Sequence, residues 1–562
     1  MTATVNGTTA AGAVQALWQR QIDHYPETRN RVWYLAIVVA ATIMLYYELY
    51  IAGAVAPNII SGFGMTFPFY VYITVVGNAV GAFGSLAAGL ADRWGRANLV
   101  AYGLLVTGLL TLVGIPNASG KWAFAILFCA IGLVEGVILV ATPALIRDFS
   151  PQLGRASAMG FWTLGPVIGS LVVAVVSSNT VNHLGAWQDQ FVICGIAGIV
   201  VGVIAVVGLR ELSPQLRDQL MVSLKDRALI EARARGLDIE DSLRHPWRQM
   251  LHADIIGSAF AIAVFLILYY TAVGFFTIYF TTLHGFSLST ANSIGDWFWA
   301  FDAGALIVIG IISDRVRVRK PFMVIGAVGA IVMTIIFLYL GAGTSYTTFA
   351  VVISILAVFL AIAYAPWMAS FTETVERRNP ALTATGLAVW GWIIRAVIAI
   401  SVFILPFVVG SMTPLFTYGT QVSTLSVKYA PQLATLAAID PSTQAALQAN
   451  PASTAALTTA VGEVAKAFSV TPAVATSRLT ALAAVPKADL LYLSEHGNQV
   501  KTAAAAAPGQ WQNWWWVCVG GEVVFIPLVL LMAGRWSPRK AREDAEEHDR
   551  LIQGELDALK QS

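Results

Sequence analysis

The stretch Gly89-Leu90-Ala91-Asp92-Arg93-Trp94-Gly95-Arg96 lies between two long apolar runs. A related stretch, Gly310-Ile311-Ile312-Ser313-Asp314-Arg315, lies between two other apolar runs in the second half of the chain. We call them the first and second hinge. Both place glycine, aspartate and arginine in sequence that is otherwise almost wholly apolar. A charged turn that recurs at equivalent places predicts two halves built on one plan.

The composition predicts a membrane protein. Of 562 residues, 57% are hydrophobic and only 12% are charged, and the mean hydropathy is +0.69. A soluble core of this length could not bury so much apolar surface. The net charge of +2, with scattered basic residues, argues against a nucleic-acid-binding face. The three cysteines lie in apolar runs, so we expect neither a disulfide framework nor a metal site.

Twelve runs are long and apolar enough to cross a bilayer as helices, which takes about 20 residues each. We place them at 31–56, 67–91, 97–116, 122–146, 156–179, 186–209, 253–283, 290–313, 320–341, 346–372, 383–410 and 512–534. If the N-terminus is cytoplasmic, ten Lys and Arg residues fall in the inner connections and Lys121 alone in the short outer loops. This bias predicts a multi-pass plasma-membrane protein with both termini in the cytoplasm.

Polar segments divide the chain into predicted domains. The segment between the sixth and seventh spans is charge-dense and is expected to form surface helices, with a flexible solvated linker as the alternative. The predicted domains are a cytoplasmic N-terminal segment (1–30), a six-helix bundle (31–209), a cytoplasmic linker (210–252), helices 7–11 of a second bundle (253–410), an extracytoplasmic insertion (411–511), helix 12 (512–534) and a cytoplasmic tail (535–562).

The insertion is rich in Ala and Thr and nearly uncharged. At Asp440-Pro441, Asn450-Pro451 and Thr471-Pro472, a capping side chain precedes a proline suited to the first position of a helix. Long loops without structure are uncommon in compact proteins. We therefore expect a small helical cap outside the membrane rather than a disordered loop.

The twelve spans in two sets of six, with the repeated hinge after the second span of each set, resemble the major facilitator superfamily. In this sequence the residues that match the family's hinge pattern are Asp92, Arg93, Gly95, Arg96, Gly310, Asp314 and Arg315. The leading glycine of the first hinge, Gly89, is displaced by one residue, and Arg317 replaces the second glycine of the second hinge. The resemblance implies an all-α fold of two pseudo-symmetric six-helix bundles.

The resemblance also implies a role for the first hinge. In the family, the residue at the place of Asp92 latches the two bundles together when the site faces outward. A carboxylate there can accept hydrogen bonds from the exposed amides that begin a neighbouring helix. The arginines would meet acidic partners or lipid phosphates, and Gly95 would allow a tight turn. The alternative, ordinary inner-loop charges, explains the arginines but not the repeated aspartate.

Span 5 contains Gly165, Pro166 and Gly169, which resemble the glycine-proline element of family members that exchange a proton for an exported compound. Ser170 replaces one expected glycine and Phe161 another. The alternative is close helix packing, with no bearing on the direction of transport.

Span 4 departs from the family's exporters. They commonly carry an arginine, two residues, a polar residue and glycine where this chain has Gly132-Leu133-Val134-Glu135-Gly136. The arginine is absent and an acidic residue takes the polar position. This departure argues against an ordinary multidrug exporter.

Charged residues inside the spans are functional candidates, because each costs roughly 2.5–3.5 kcal/mol near the middle of a bilayer. By the family's arrangement, the candidates that face the transport pathway are Glu48, Glu135, Asp302 and Arg395. Glu135 is the predicted proton carrier, and Glu48 is the second choice. Asp302 and Arg395 would form a buried pair or bind a charged substrate between them. Glu522, in span 12, lies away from the pathway and is expected to be structural.

Aromatic residues at similar depth are candidates for the lining of an amphipathic site. They are Tyr46, Tyr50, Tyr270, Tyr364, Trp367 and Trp390. Such residues also serve as packing groups or interface anchors, and this alternative stays open. Their number favours a partly apolar or aromatic substrate over a bare sugar.

The sequence predicts a proton-coupled secondary transporter of a small organic compound that rocks two bundles about a central site. We expect export by proton exchange, with proton-coupled uptake as the alternative. A second hypothesis makes the protein a membrane partner for an envelope protein that docks on the insertion. The hypothesis of an integral-membrane enzyme has the least support, because the sequence shows no arrangement of a nucleophile with a general base. The expected partners are the substrate, protons and the lipid bilayer; no cofactor is expected, and a monomer suffices.

Overall fold

The computed structural model describes residues 18–86, 94–149, 154–213, 215–216, 246–316, 318–379 and 383–534, with isolated positions between 536 and 550. These residues separate into two compact units. The membrane unit contains the described residues up to Val408 and those from Trp511 onward, and the insertion unit contains Val409–Gln510. Most of the predicted linker and all of the first 17 residues lie outside the described part of the chain.

The first half of the membrane unit is helical apart from one pair of short strands, β1 (Gln21–Ile22) and β2 (Glu211–Leu212). Its helices are α1 (Thr28–Ala54), α2 (Ala56–Gly62), α3 (Phe67–Leu86), α4 (Arg96–Leu109), α5 (Lys121–Phe149), α6 (Gly154–Thr180) and α7 (Gln188–Gly208). After Leu109, α4 continues as a π-helical turn, Leu110–Gly114. These long apolar helices satisfy their backbone amides internally, as a lipid environment requires.

The second half begins with the short helix α8 (Pro246–Met250). Its longer helices are α9 (Ala253–Phe265), α10 (Ile267–Leu283), α11 (Leu288–Val316), α12 (Lys320–Leu338), α13 (Tyr346–Arg378) and α14 (Thr383–Val408). The predicted seventh span thus consists of two helices, α9 and α10, placed end to end. The structure joins them at Leu266, whose φ and ψ angles are −86° and 8°.

Eleven of the twelve predicted spans are confirmed as long apolar helices. Eleven apolar segments of the described chain are long enough to cross a membrane, and they coincide with eleven of the twelve predicted positions. The remaining prediction, 156–179, coincides with α6, in which Leu164–Thr180 is identified as a shorter apolar helix.

The two halves repeat the same helix contacts. In the first half α1 packs against α6 and α3 packs against α5; in the second, α9 packs against α14 and α11 against α13. Among the described residues, the main contacts between the halves join α6 with α11, α3 with α14, and α10 with both α1 and α2. This repetition is the structural counterpart of the repeated hinge, and it confirms the fold of two six-helix bundles.

An N-terminal clasp, formed by residues 18–22 and 211–212, joins the beginning and the end of the first half. β1 and β2 pair in parallel, with Gln21 opposite Glu211. Arg20 is only 1% exposed, and it donates a hydrogen bond to the carbonyl oxygen of Ala205 at 2.8 Å. Its guanidinium also lies 5.3 Å from the ring centroid of Tyr102. Burial lowers the pKa of Arg20 below its usual value.

The insertion unit is helical, as predicted. Its helices are α15 (Met412–Thr417), α16 (Gly419–Lys428), α17 (Ala430–Ala437), α18 (Pro441–Ala449), α19 (Thr454–Phe468) and α20 (Pro472–Ala483). Ile439, Ala460, Val464 and Ala475 form one buried core, and Leu425, Tyr429 and Val485 form another. This segment therefore has apolar cores of its own.

Two of the three predicted helix starts in the insertion unit are correct in position, because α18 follows Asp440 and α20 follows Thr471, but neither side chain forms the predicted capping hydrogen bond. The third is wrong. Asn450 ends α18, and the side chain of Ser453 accepts a hydrogen bond from the amide of Ala456 at the start of α19. A hydroxyl three residues downstream therefore takes the capping role.

The last helix, α21 (Lys487–Leu528), is longer than the predicted span 512–534. It begins within the segment assigned to the insertion and continues without a break, and a short 3-10 turn, Val529–Leu531, follows it. The run Ala503–Ala507 has high helix propensity, which explains the continuity.

Candidate functional site

A cavity of about 130 Å³ lies between helices of the membrane unit. The first half lines it with α1, α3, α4, α5 and α7, and the second half with α10 and α14. We call it the carboxyl cavity, because Glu48 and Glu135 both line it. No group of three or more His, Cys, Asp or Glu side chains in the described residues is placed to hold a metal ion.

Glu135 is 3% exposed, and neither of its carboxyl oxygens has a hydrogen-bond partner among the described residues. Two glycines near it, Gly132 and Gly136, pack α5 against α3. A Cβ atom at Gly132 would lie 2.9 Å from the carbonyl oxygen of Gly77, and one at Gly136 would overlap the carbonyl oxygen of Gly81. The absence of side chains lets the two backbones approach closely and fixes the depth of Glu135.

Glu48 is 4% exposed and comes from α1. Its Oε1 atom lies so close to α7 that a Cβ at Gly198 would overlap it. The hydroxyl of Thr107 is nearby but donates to the backbone carbonyls of Gly103 and Leu104, at 3.2 and 3.3 Å. Within the described structure, both carboxyl oxygens of Glu48 are buried without a hydrogen-bond partner. Such a group is expected to bind a proton or a cation.

Asp302 and Arg395 do not form the predicted pair. Asp302, in α11, is 4% exposed and lies within electrostatic range of Tyr364. Arg395 lines a neighbouring cavity of about 200 Å³ between α3 and α14. Its guanidinium lies within electrostatic range of Tyr46 and Tyr270. No ion pair joins Asp302 to Arg395 in the part of the chain that the structure describes.

The four predicted tyrosines lie near one another. Tyr46 and Tyr50 form a tilted pair with ring centroids 5.6 Å apart. Tyr50 and Tyr270 line the carboxyl cavity. Tyr364 lies within electrostatic range of Tyr270 and Tyr46. These residues come from α1, α10 and α13, so both halves contribute to one tyrosine-rich region.

The two predicted tryptophans belong to the packing of the second half. Trp367 is fully buried, and its indole nitrogen donates to the carbonyl oxygen of Ser258 at 3.2 Å. Its ring lies 5.8 Å from Trp390 and 5.1 Å from Phe371. Neither tryptophan lines the carboxyl cavity. The structure therefore supports the packing alternative for both.

The glycine-proline element of span 5 packs α6 against α1. A Cβ at Gly165 would lie 2.6 Å from Cγ2 of Thr42, and one at Gly169 would lie 2.5 Å from Cβ of Tyr46. Pro166 lies inside α6. The element therefore joins two helices of the same half, as the packing alternative predicts.

A carboxylate that was not predicted to act there, Glu211, contacts the described end of the first hinge. Gly95 has a φ angle of 89°, in the left-handed region that favours glycine, and a Cβ there would overlap the Glu211 carboxyl group. Glu211 accepts hydrogen bonds from the backbone amides of Arg96 at 2.6 Å and Ala97 at 3.3 Å. It thus stabilises the start of α4. The first five hinge residues, 89–93, lie outside the described part of the chain, and they include the predicted latch residues Gly89, Asp92 and Arg93.

In each half, an ion pair joins the start of the helix that follows the hinge to the end of the next helix. In the first half, Arg96 forms an ion pair with Asp148 at 2.8 Å. In the second half, Arg319 pairs with Asp314 at 2.7 Å and with Glu373 at 3.1 Å. Asp314 therefore pairs with a residue that follows its own hinge by four positions. Of the other predicted residues in the second hinge, Gly310 is half-buried and Arg315 is exposed.

A polar stripe on α3 was not predicted. Tyr70, Thr74 and Asn78 all line the carboxyl cavity, and the Tyr70 hydroxyl donates to the carbonyl oxygen of Ala52 at 3.2 Å. Their spacing of four residues places them on one face of an otherwise apolar helix. This spacing is visible in the sequence and could have identified them.

Thr111 is a second missed residue. It lies in the π-helical turn of α4, is 1% exposed, and lines the carboxyl cavity. Its hydroxyl has no hydrogen-bond partner among the described residues. Such turns are rare and often occur at functional sites. No feature of the sequence marks this turn.

One family model matches most of this chain, and individual curated proteins match about a quarter of it or less. The sequence model of the Major Facilitator Superfamily matches residues 38–399, more than half of the chain. The niacin transporter NiaP of Acinetobacter baylyi is 35% identical over 138 residues, which are 24% of this chain and 30% of that protein. The chain therefore spans less than a third of the length of the curated relatives it matches.

Two solved structures resemble the fold. A bacterial homologue of the human lysosomal transporter Spinster, in an inward-facing and occupied conformation, has a TM-score of 0.56 and 16% identity, and the match covers 91% of this chain and 100% of that one. A D-xylose–proton symporter has a TM-score of 0.51 and 14% identity, and the match covers 67% of this chain and 89% of that one. At such identities these structures show the fold alone. The family match and the two six-helix bundles lead to one conclusion: this chain belongs to the Major Facilitator Superfamily, whose fold is that of a transporter and not of an enzyme.

Proposed function

We propose that this protein is a proton-coupled secondary transporter of a small organic compound that works by alternating access. The observation that carries the proposal is the pair Glu48 and Glu135, both buried in one cavity and both without a hydrogen-bond partner among the described residues. An ionised carboxylate in that position is costly, and protonation removes the cost. Gain and loss of a proton there would couple the proton gradient to the movement of the two halves.

Contacts between the halves support alternating access. Thr277 of α10 donates to the carbonyl oxygen of Gly53 at 2.6 Å, and Asn292 of α11 donates to that of Ala54 at 3.0 Å. Both bonds lie where α1 and α10 end and α11 begins. In the proposed topology this is the outer side, so the described conformation would be closed outward. Breaking such contacts and forming others at the inner side is what rocking bundles require.

We favour export by proton exchange, with uptake by symport as the alternative. The local match to a niacin transporter supports a small organic substrate. Four tyrosines near the centre of the membrane unit support a substrate with an aromatic or apolar part. Gly165 and Gly169 pack against α1, and this contact is compatible with either direction of transport. Transport assays decide the direction.

Transport in proteoliposomes tests the proposal. A thermal-shift screen of metabolites and amines at two pH values first supplies a ligand. Counterflow and pH-jump transport of that ligand are then compared for the unaltered protein, Glu135→Gln and Glu522→Gln. Glu522 is a suitable control because it is also fully buried, but it accepts a hydrogen bond from Thr334 at 2.9 Å and lies outside the carboxyl cavity.

We expect Glu135→Gln to lose pH-driven transport while Glu522→Gln retains it. Counterflow, which needs no proton gradient, should continue in Glu135→Gln if substrate still binds. Unchanged proton dependence in Glu135→Gln would remove this residue from the mechanism.

We also propose a plasma-membrane location, with both termini in the cytoplasm and the insertion unit outside. The distribution of Lys and Arg among the short loops supports this orientation. Labelling of single cysteines placed at Lys121 and Arg378 with an impermeant maleimide tests it. Only the cysteine at position 121 should react in intact cells.

A second function is proposed for the insertion unit, as a docking site for an envelope protein. Its two apolar cores support an independently folded segment. Removing residues 412–486 leaves α14 and α21 whole. Transport that survives while a co-purifying protein is lost would support docking. Loss of transport, with no partner lost, would make the unit part of the transport machinery.

A further inference from the structure

We propose that the carboxyl cavity binds an organic cation about the size of one aromatic ring, such as a protonated or quaternary amine. This inference rests on the proposed transport function and names the substrate class.

Apart from tyrosines, the ionisable side chains that line the cavity are all acids. Glu48 and Glu135 are its ionisable acids, and no Lys, Arg or His occurs among its described lining residues. All four of their carboxyl oxygens are buried without a hydrogen-bond partner in the described structure. Burying a carboxylate is costly unless an opposite charge accompanies it. A cation that enters the cavity supplies that charge.

The remaining lining suits an aromatic or alkylated amine. Tyr50, Phe128, Tyr270 and Phe275 contribute aromatic rings, and rings attract cations that lie over their faces. The buried hydroxyl of Thr111 can accept a hydrogen bond from an amine. The volume of about 130 Å³ is similar to that of an engineered cavity of roughly 150 Å³ that holds benzene. A ligand with one ring therefore fits.

An anion is disfavoured at the same place. It could not take the place of the proton on either carboxyl group, and an ionised carboxylate would repel it at a cost of several kcal/mol. Arg395 is the basic residue of the neighbouring cavity, where it lines the space between α3 and α14. It does not line the carboxyl cavity. The two cavities therefore differ in charge.

Ligands that share a ring but differ in charge test this inference. The probes are 1-methylnicotinamide, nicotinamide and nicotinate, which are cationic, neutral and anionic. Benzyltrimethylammonium and phenylacetate form a second pair. Binding to the purified full-length protein is measured by calorimetry in detergent, without a proton gradient. We expect both cations to bind and both anions to fail.

Variants locate the binding site. Glu48→Gln and Glu135→Gln should each weaken cation binding by about tenfold or more, since each removes a carboxyl group that can ionise beside the bound cation. Glu522→Gln should leave the affinity within about twofold, because that carboxyl group is buried elsewhere. Thermal unfolding of each variant shows whether it is folded.

The inference is overturned if nicotinate binds more tightly than 1-methylnicotinamide, if neither cation binds at millimolar concentration, or if both cavity variants bind cations as the unaltered protein does. The result is separable from that of the transport assay. Cation binding without pH-driven transport would refute proton coupling alone, whereas pH-driven transport of an anion would refute the substrate class alone.

Discussion

Replacing Gly136 with alanine is expected to impair transport, because α5 and α3 would have to separate beside Glu135. The new Cβ would overlap the carbonyl oxygen of Gly81 and would lie 2.8 Å from its carbonyl carbon and 3.0 Å from its Cα. Carbon atoms in good contact are about 3.5–4.0 Å apart. The backbones must therefore move apart by roughly 1 Å, and Glu135, the adjacent residue, moves with α5.

The size of the effect follows from this displacement. A shift of about 1 Å in a positioned group can reduce a rate by roughly 100-fold. Forcing an extra methyl group into a packed interface typically costs about 1–3 kcal/mol. We expect the initial rate of transport to fall by at least about tenfold, with a lower unfolding temperature.

The assay is counterflow in proteoliposomes, with thermal unfolding followed by tryptophan fluorescence. Gly304→Ala is the matched control: Gly304 also lies within a long apolar helix, α11, but a Cβ there would meet no atom within 4 Å. That variant should transport at the normal rate. If Gly136→Ala matches it in rate and unfolding temperature, close packing of α3 and α5 does not position Glu135.

Two further variants test contacts described above. Glu211→Gln should lower the unfolding temperature by about 1–3 °C, because it removes the charge that stabilises the start of α4. The control is Glu495→Gln. It should leave the unfolding temperature unchanged, because the carboxylate of Glu495 is 57% exposed. Asn292→Ala removes the hydrogen bond to the carbonyl oxygen of Ala54 and should shift the protein toward the outward-open state. The measurement is the rate at which an impermeant maleimide labels a cysteine at Thr74 from outside, and an unchanged rate would show that this bond does not hold the outer side closed.

The helices could be predicted from the sequence because their signal is local. A run of about 20 apolar residues identifies a span wherever its neighbours lie. Glu48 and Glu135 could be nominated for the same reason, since a charge inside such a run is rare and costly. Sequence alone thus supplies the depth of each group in the membrane and its charge.

Rotation about the helix axis and contacts between distant segments could not be predicted in this way. Asp302 and Arg395 have suitable depths and charges, yet the structure does not pair them. Glu211 stabilises the start of a helix 115 residues earlier in the chain, and its position in sequence resembles that of any loop carboxylate. The π-helical turn that carries Thr111 depends on packing, since a Cβ at Gly195 would lie 2.5 Å from the amide nitrogen of Leu112.

The N-terminal clasp has a consequence for biogenesis. Arg20 is synthesised 185 residues before Ala205, the residue whose carbonyl oxygen it binds. At roughly 5–20 residues per second, the ribosome needs about 10–40 s to cover that distance. During this time β1 has no partner strand. The side chain of Arg20, which is almost fully buried in the folded protein, is still solvated. The clasp closes only when the sixth span has been made, so its closure marks completion of the first bundle before the second is synthesised.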